Sequence, residues 1–126
     1  MAAAKYNITI EQGADFEMTV TLTDANGTAI DISAGTITFI SKIRRSPETD
    51  AIQSGGSDIE FQYTKTDGAN GEVKFYIEEE KTRDLPGDNL YYDIYRKNTA
   101  DDSYVRDLEG KITVIESIAI PKTGAF

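Results

Sequence analysis

LYYDIYRKNTADDSYVRDLEGKITV, residues 90–114, decides how this chain folds. Leu90, Tyr92 and Ile94 alternate with Tyr91, Asp93 and Tyr95, and a strand points successive side chains to opposite faces. One face is apolar and the other polar. Asn98 to Asp102 is a cluster of turn formers, after which Leu108, Gly110, Ile112 and Val114 alternate with Glu109, Lys111 and Thr113. That pattern predicts a long antiparallel hairpin.

Working outward, the same period recurs along the whole chain. Tyr6, Ile8 and Ile10 form a first strand, and Phe16, Met18, Val20 and Leu22 a second, with threonines on its wet face, as suits a β-branched residue. Asp24-Ala25-Asn26-Gly27 is a tight reversal. Asp24, Asn26 and Asp31 faintly resemble a calcium loop but lack its closing glutamate, so a turn is the expectation. Ile37, Phe39 and Ile43 share one face of the next strand with Ile40 on the other, and Pro47 ends it. Ala51 to Gln53 could add a short edge strand. Further strands carry Ile59, Phe61 and Tyr63, then Val73, Phe75 and Ile77. Between that strand and the hairpin, Glu78 to Leu85 loses the period of two and holds good helix formers, and Pro86-Gly87 stops it. A short helical crossover is predicted there. Its Glu78, Glu79 and Glu80 read as a solvated helical face, because nothing apolar nearby would raise a carboxyl pKa.

Strands at this spacing, joined by turn-rich segments, predict an all-β fold: an immunoglobulin-like antiparallel β-sandwich of about seven to eight strands with one short helical crossover. The expected core is Phe16, Met18, Val20, Phe39, Phe61, Phe75, Tyr92, Ile94, Ile112 and Val114. Tyr92, entering a late strand after a crossover, is expected to form a tyrosine corner, its hydroxyl bonding back to a nearby backbone. Residues 1–115 are read as one sandwich domain and 116–126 as a C-terminal extended arm.

The 126 residues hold no Cys and no His, which removes disulfides, thiolate nucleophiles, imidazole bases and the usual zinc ligands together. No nucleophile elbow, phosphate loop or metal spacing can be assembled, so no catalytic residue, metal or cofactor is expected, and the chain is not read as an enzyme. A net charge of −9 with a pI near 4.4 disfavours nucleic acid. The local basic cluster Lys42, Arg44 and Arg45 reads as a strand end leading into a loop. No apolar run approaches the roughly 20 residues of a membrane span, and Met1 to Lys5 lacks the apolar centre of a signal peptide. Two features do suggest contact with another protein. Tyr91 and Tyr95 fall on the outer phase of the hairpin and could form a patch beside Tyr104, and aromatic residues with polar tips are enriched in interfaces. Ile118, Ile120 and Phe126 are apolar groups in ESIAIPKTGAF, beyond the last strand pattern, where an extended arm could add to a neighbour's sheet edge.

Ile8 to Ser33, then TITFISKIRRSP (Thr36 to Pro47), the strand start Gly71-Glu72-Val73, and LPGDNLYYDIY with Leu108 to Val114 resemble a family of small tailed-bacteriophage virion proteins. These in turn are similar to the immunoglobulin-like N-terminal domain of the upper baseplate proteins that attach receptor-binding proteins to the tail. The resemblance implies a non-enzymatic structural component, made in the host cytoplasm and carried in the virion. It would be an adaptor in the tail or baseplate that joins other virion proteins in a symmetric homo- or hetero-oligomeric assembly. Where such proteins serve as adaptors they continue into a coiled coil or receptor-binding domain, and beside them this chain would be only the docking module, with its partner a separate polypeptide. A capsid decoration protein is the alternative within virions. A carbohydrate-binding module using Tyr91, Tyr95 and Tyr104 is the alternative of another class.

Overall fold

Strands that are apolar on one face must bury that face, and here two sheets bury theirs against each other. The computed structural model describes residues 4–44, 59–83, 85 and 89–117. In chain order the elements are β1 (Ala4–Lys5), β2 (Ile8–Glu11), β3 (Phe16–Thr21), β4 (Ile37–Arg44), β5 (Gln62–Asp67), β6 (Glu72–Ile77), α1 (Glu79–Thr82), β7 (Asn89–Asn98) and β8 (Ser103–Ile115). One sheet is ordered β1, β8, β7, β4, with β2 also on β8, and the other is β3, β6, β5. This is the immunoglobulin-like sandwich that the strand spacing predicts, with α1 as its short crossover. The pairings are antiparallel except at the N-terminal strand. β1 and β2 lie parallel to β8 in one register, with Ala4 opposite Leu108 and Ile8 opposite Ile112.

The two sheets meet through aromatic rings. Phe39 on β4 stands edge-on to Phe75 on β6, with centroids 5.3 Å apart at 87°, and Phe61 meets Tyr92 at 5.5 Å and 68°. Such tilted contacts suit the ring quadrupoles. Of the expected core, Phe16 and Val20 are only partly buried, whereas Met18 between them is buried. All three lie on β3, an end strand among the described residues, where an inward side chain has a neighbouring strand on one side only. The core also takes in Ile32 and Leu85, which belong to no strand.

Residues 59–61 cross from one sheet to the other. Ile43 donates its N–H to the Ile59 carbonyl, and the Ser41 hydroxyl accepts the Phe61 N–H at 2.8 Å. The run expected to be one strand from Ile59 to Tyr63 is therefore split, its start bridged to β4 and its end in β5. At the crossover, the Thr82 hydroxyl accepts the Gly13 N–H and donates to the Ala14 carbonyl, and the buried Gln12 amide donates to the Leu85 carbonyl at 2.6 Å. These bonds satisfy backbone groups that the chain reversal would otherwise leave unpaired.

Tyr92 is buried in the phase expected of it, but it makes no tyrosine corner. Its hydroxyl donates to the carbonyl of Tyr6, and burial pushes the phenol up to about 12. The partner is the link between β1 and β2 because Tyr92 faces Gly110 across the hairpin, and Gly110 has no Cβ to hold the Tyr6 backbone away.

Between Ile94 and Tyr95 the hairpin register shifts, Ile94 facing Leu108 and Tyr95 facing Arg106, which leaves Asp107 as the extra residue of a β-bulge. Arg96 lies 3.6 Å from Asp107, and both side chains are mostly buried. Burial raises the Asp107 carboxyl, and the guanidinium of Arg96 offsets only part of that. A pKa raised by folding contributes stability below the unfolded value that is lost as pH rises through the folded value. Relative to the native chain, Asp107→Asn should therefore be more stable at neutral pH than at about pH 4. Urea melts of both proteins at the two pH values test this, and an advantage that grows on acidification would refute it.

Candidate functional site

The strand registers set out the outer face of the five-stranded sheet row by row. Arg44, Tyr91 and Lys111 form one row, Lys42, Asp93, Glu109 and Lys5 the next, and Ile40, Tyr95 and Arg106 the one after. Thr38, Lys97 and Tyr104 follow towards the hairpin tip. A shallow groove of about 880 Å³ lies across the first three rows. Lys5, Lys42, Arg44, Arg106 and Lys111 line it against two carboxylates, Asp93 and Glu109. That balance is the reverse of the chain's, which carries −9 overall.

The three tyrosines singled out from the sequence all belong to this face, and each has a cation over its ring. Lys111 is 5.8 Å from the Tyr91 centroid, Arg106 5.3 Å from Tyr95 and Lys97 5.2 Å from Tyr104. Arg106 also donates from Nε and Nη2 to the Tyr95 hydroxyl at 3.1 and 2.9 Å, and from Nη1 to Glu109 at 3.0 Å. Its Nε lies 3.9 Å from Asp93. Burial raises the Asp93 carboxyl, while Arg106 lowers it and Glu109 raises it again. Arg106 thus organises the floor of the groove.

Ile118, Ile120 and Phe126, the other expected contact residues, lie outside the described residues, as does most of the 116–126 arm. Sequence reading missed Lys5, Arg106 and Lys111, and it took Lys42 and Arg44 for a strand end. Single cations spaced along β1, β8 and β4 become a cluster only once the strand order is known. The period of two does put Lys42 and Arg44 on one face, and that was the available signal.

Several carboxylates elsewhere are occupied locally. Asp24 accepts the N–H groups of Asn26 and Thr28, and Asp31 accepts the N–H and hydroxyl of Ser33, which lower its pKa. Glu79 pairs with Arg83 at 2.7 Å within the crossover. Among the described residues no group of three or more His, Cys, Asp or Glu side chains could hold a metal ion, and no helix is long and apolar enough to cross a membrane. No protein-family model and no curated protein matches the chain.

Proposed function

We propose that the chain is a non-catalytic docking domain that joins neighbouring subunits of a tailed-phage particle, as an adaptor in the tail or baseplate. The virion setting comes from the sequence resemblance. The docking role is carried by one observation, the outer sheet face with its tyrosines and its inverted charge. Tyrosine and arginine are the residue types enriched at protein interfaces, and they gather here on a rigid sheet rather than on loops.

The cations over the three rings also weigh against a sugar platform. A pyranose stacks on an open aromatic face, and Lys111 and Lys97 stand 5.8 and 5.2 Å from the Tyr91 and Tyr104 centroids while Arg106 holds the Tyr95 hydroxyl.

The test is particle incorporation. Fractionated particles should contain the native chain with the tails, and Arg44→Glu with Lys111→Glu should lower its content about tenfold. Both substitutions are on the outer face, so the melting temperature of the isolated protein should be unchanged. Recovery with capsids instead would favour the decoration role. Absence from both fractions would refute a virion function.

A further inference from the structure

We infer that the outer edge of β3 pairs with the same edge of a second copy of this chain, antiparallel about a two-fold axis at Thr19, so that two three-stranded sheets become one continuous sheet. This edge is separate from the groove, which lies on the other sheet, and pairing here uses none of the groove's residues.

An edge strand presents a row of backbone donors and acceptors to whatever comes beside it, and proteins blunt such edges with bulges, breaks, covering segments or charge. Among the described residues the other edges are blunted in these ways. β5 carries a register shift between Thr64 and Asp67. β4 is bridged by Ile59 at Ile43, and its Ser41 hydroxyl holds the Phe61 N–H. The N-terminal edge is interrupted at Tyr6 and Asn7, between β1 and β2. β3 instead runs for six residues in one register, with no proline, and pairs with β6 alone among the described residues. Its one charged side chain, Glu17, lies 3.8 Å from Lys74 on β6.

The ladder determines which groups this edge offers. Leu22 donates its N–H to the Gly71 carbonyl at 2.9 Å, continuing the β3 to β6 register, and hydrogen-bonded pairs alternate along an antiparallel ladder. Phe16, Met18 and Val20 therefore direct their backbone groups to β6. Glu17, Thr19 and Thr21 direct theirs to the open edge, and their side chains are exposed on the sheet's outer face.

A second copy fits this edge because the edge is complementary to itself. With the axis at Thr19, Glu17 faces the partner's Thr21, Thr19 faces the partner's Thr19, and each is a hydrogen-bonded pair. Facing threonines suit a cross-strand position, and no like charges are opposed. On the inner face Val20 meets the partner's Met18, and Phe16 meets the partner's Leu22. Phe16 and Val20 are the inward residues of β3 that a single copy covers only in part. Other registers fit less well. An axis at Glu17 opposes two carboxylates, one at Val20 sets Phe16 against the partner's Asp24, and one at Met18 sets Thr21 against the partner's Asp15, which precedes the strand.

Sedimentation velocity of the full chain from about 1 to about 500 μM should show monomer passing to dimer, with a Kd of roughly 1 to 100 μM for so short an interface. Thr19→Glu sets two carboxylates face to face across the axis but stays opposite Lys74 within its own sheet. It should raise that Kd at least about fivefold, and the dilute protein should melt no lower than the native chain. Cysteine substitution reads the position of the axis, since the chain has no Cys of its own. Under mild oxidation Thr19→Cys should give a covalent dimer. Thr21→Cys should not, because its two copies are offset by about 14 Å along the strands, beyond the reach of a disulfide. A monomer at every concentration would overturn the inference. So would a dimer that Thr19→Glu leaves intact, whether it forms through the groove face or is lost on deleting residues 118–126. Cross-linking from position 21 as ready as from position 19 would overturn it as well.

Discussion

Phe75→Ala should lower the unfolding free energy by about 3 to 5 kcal/mol, the usual range for emptying a phenylalanine site in a packed core. For a chain of this length that loss should bring the thermal midpoint down by roughly 10 to 20 °C. Phe75 is 1% exposed and sits near the middle of β6, the central strand of its sheet. Met18 and Tyr63 face it across the two neighbouring strands, and Phe39 meets it edge-on from the opposite sheet. The surrounding backbone is paired on both sides, so it cannot collapse into the cavity, and the cost should fall at the upper end. Phe16, on the end strand β3 and only partly buried, provides the contrast, and its truncation should cost less than half as much. Denaturant melts of the two variants against the native chain decide the matter. A Phe75→Ala loss below about 1.5 kcal/mol, or one no larger than that of Phe16→Ala, would mean that the contact between the sheets does not hold the sandwich together.

How much of this was legible in the sequence follows from what kind of pattern each feature leaves. Strand phase is local, and it put Phe39, Phe75, Ile94 and Ile112 inside and Ile40 and Tyr91 outside, where the structure has them. The crossover was visible because Glu78 to Leu85 breaks the period of two. The bulge at Asp107 was not. One extra residue on one strand has no signature until the partner's register is known, and it alters which residues face inward beyond it. The parallel pairing of β1 and β2 with β8 is long-range, joining residues 104 apart such as Ile8 and Ile112. It also redirected Tyr92, whose partner Tyr6 is 86 residues away. The candidate site is almost entirely of this second kind. The tyrosines and the cations at their rings come from one hairpin, but Lys5, Lys42 and Arg44, which complete the groove, come from β1 and β4. A chain with net charge −9 gave no reason to look for a basic surface. Lys42 and Arg44 were noticed and set aside because three basic residues in a row of strand and loop are commonly just solvated.

Gly110→Ala is expected to cost about 2 to 4 kcal/mol and to act on the N-terminal strand rather than on the core. A Cβ at this position would collide with the Tyr6 carbonyl oxygen and lie 2.8 Å from its carbon and 3.1 Å from the Tyr92 ring. The first two obstacles are backbone, so no rotamer change relieves them. To escape, the segment around Tyr6 must rise off β8. That breaks the bond from the Tyr6 N–H to the Glu109 carbonyl, the bond from the Lys111 N–H to Asn7, and the acceptance of the Tyr92 hydroxyl by Tyr6. Each is worth about 1 kcal/mol net, and the buried phenol left without a partner adds a desolvation penalty of about 1 to 3 kcal/mol. If the clash is the cause, it should vanish with the segment that suffers it. In a chain lacking residues 1–6, Gly110→Ala should cost less than about 1 kcal/mol, a non-additivity that a double-mutant cycle reads directly. Equal penalties in the full and shortened chains would instead place the damage within β7 and β8 and refute this account. Lifting the segment also carries Lys5 away from the groove.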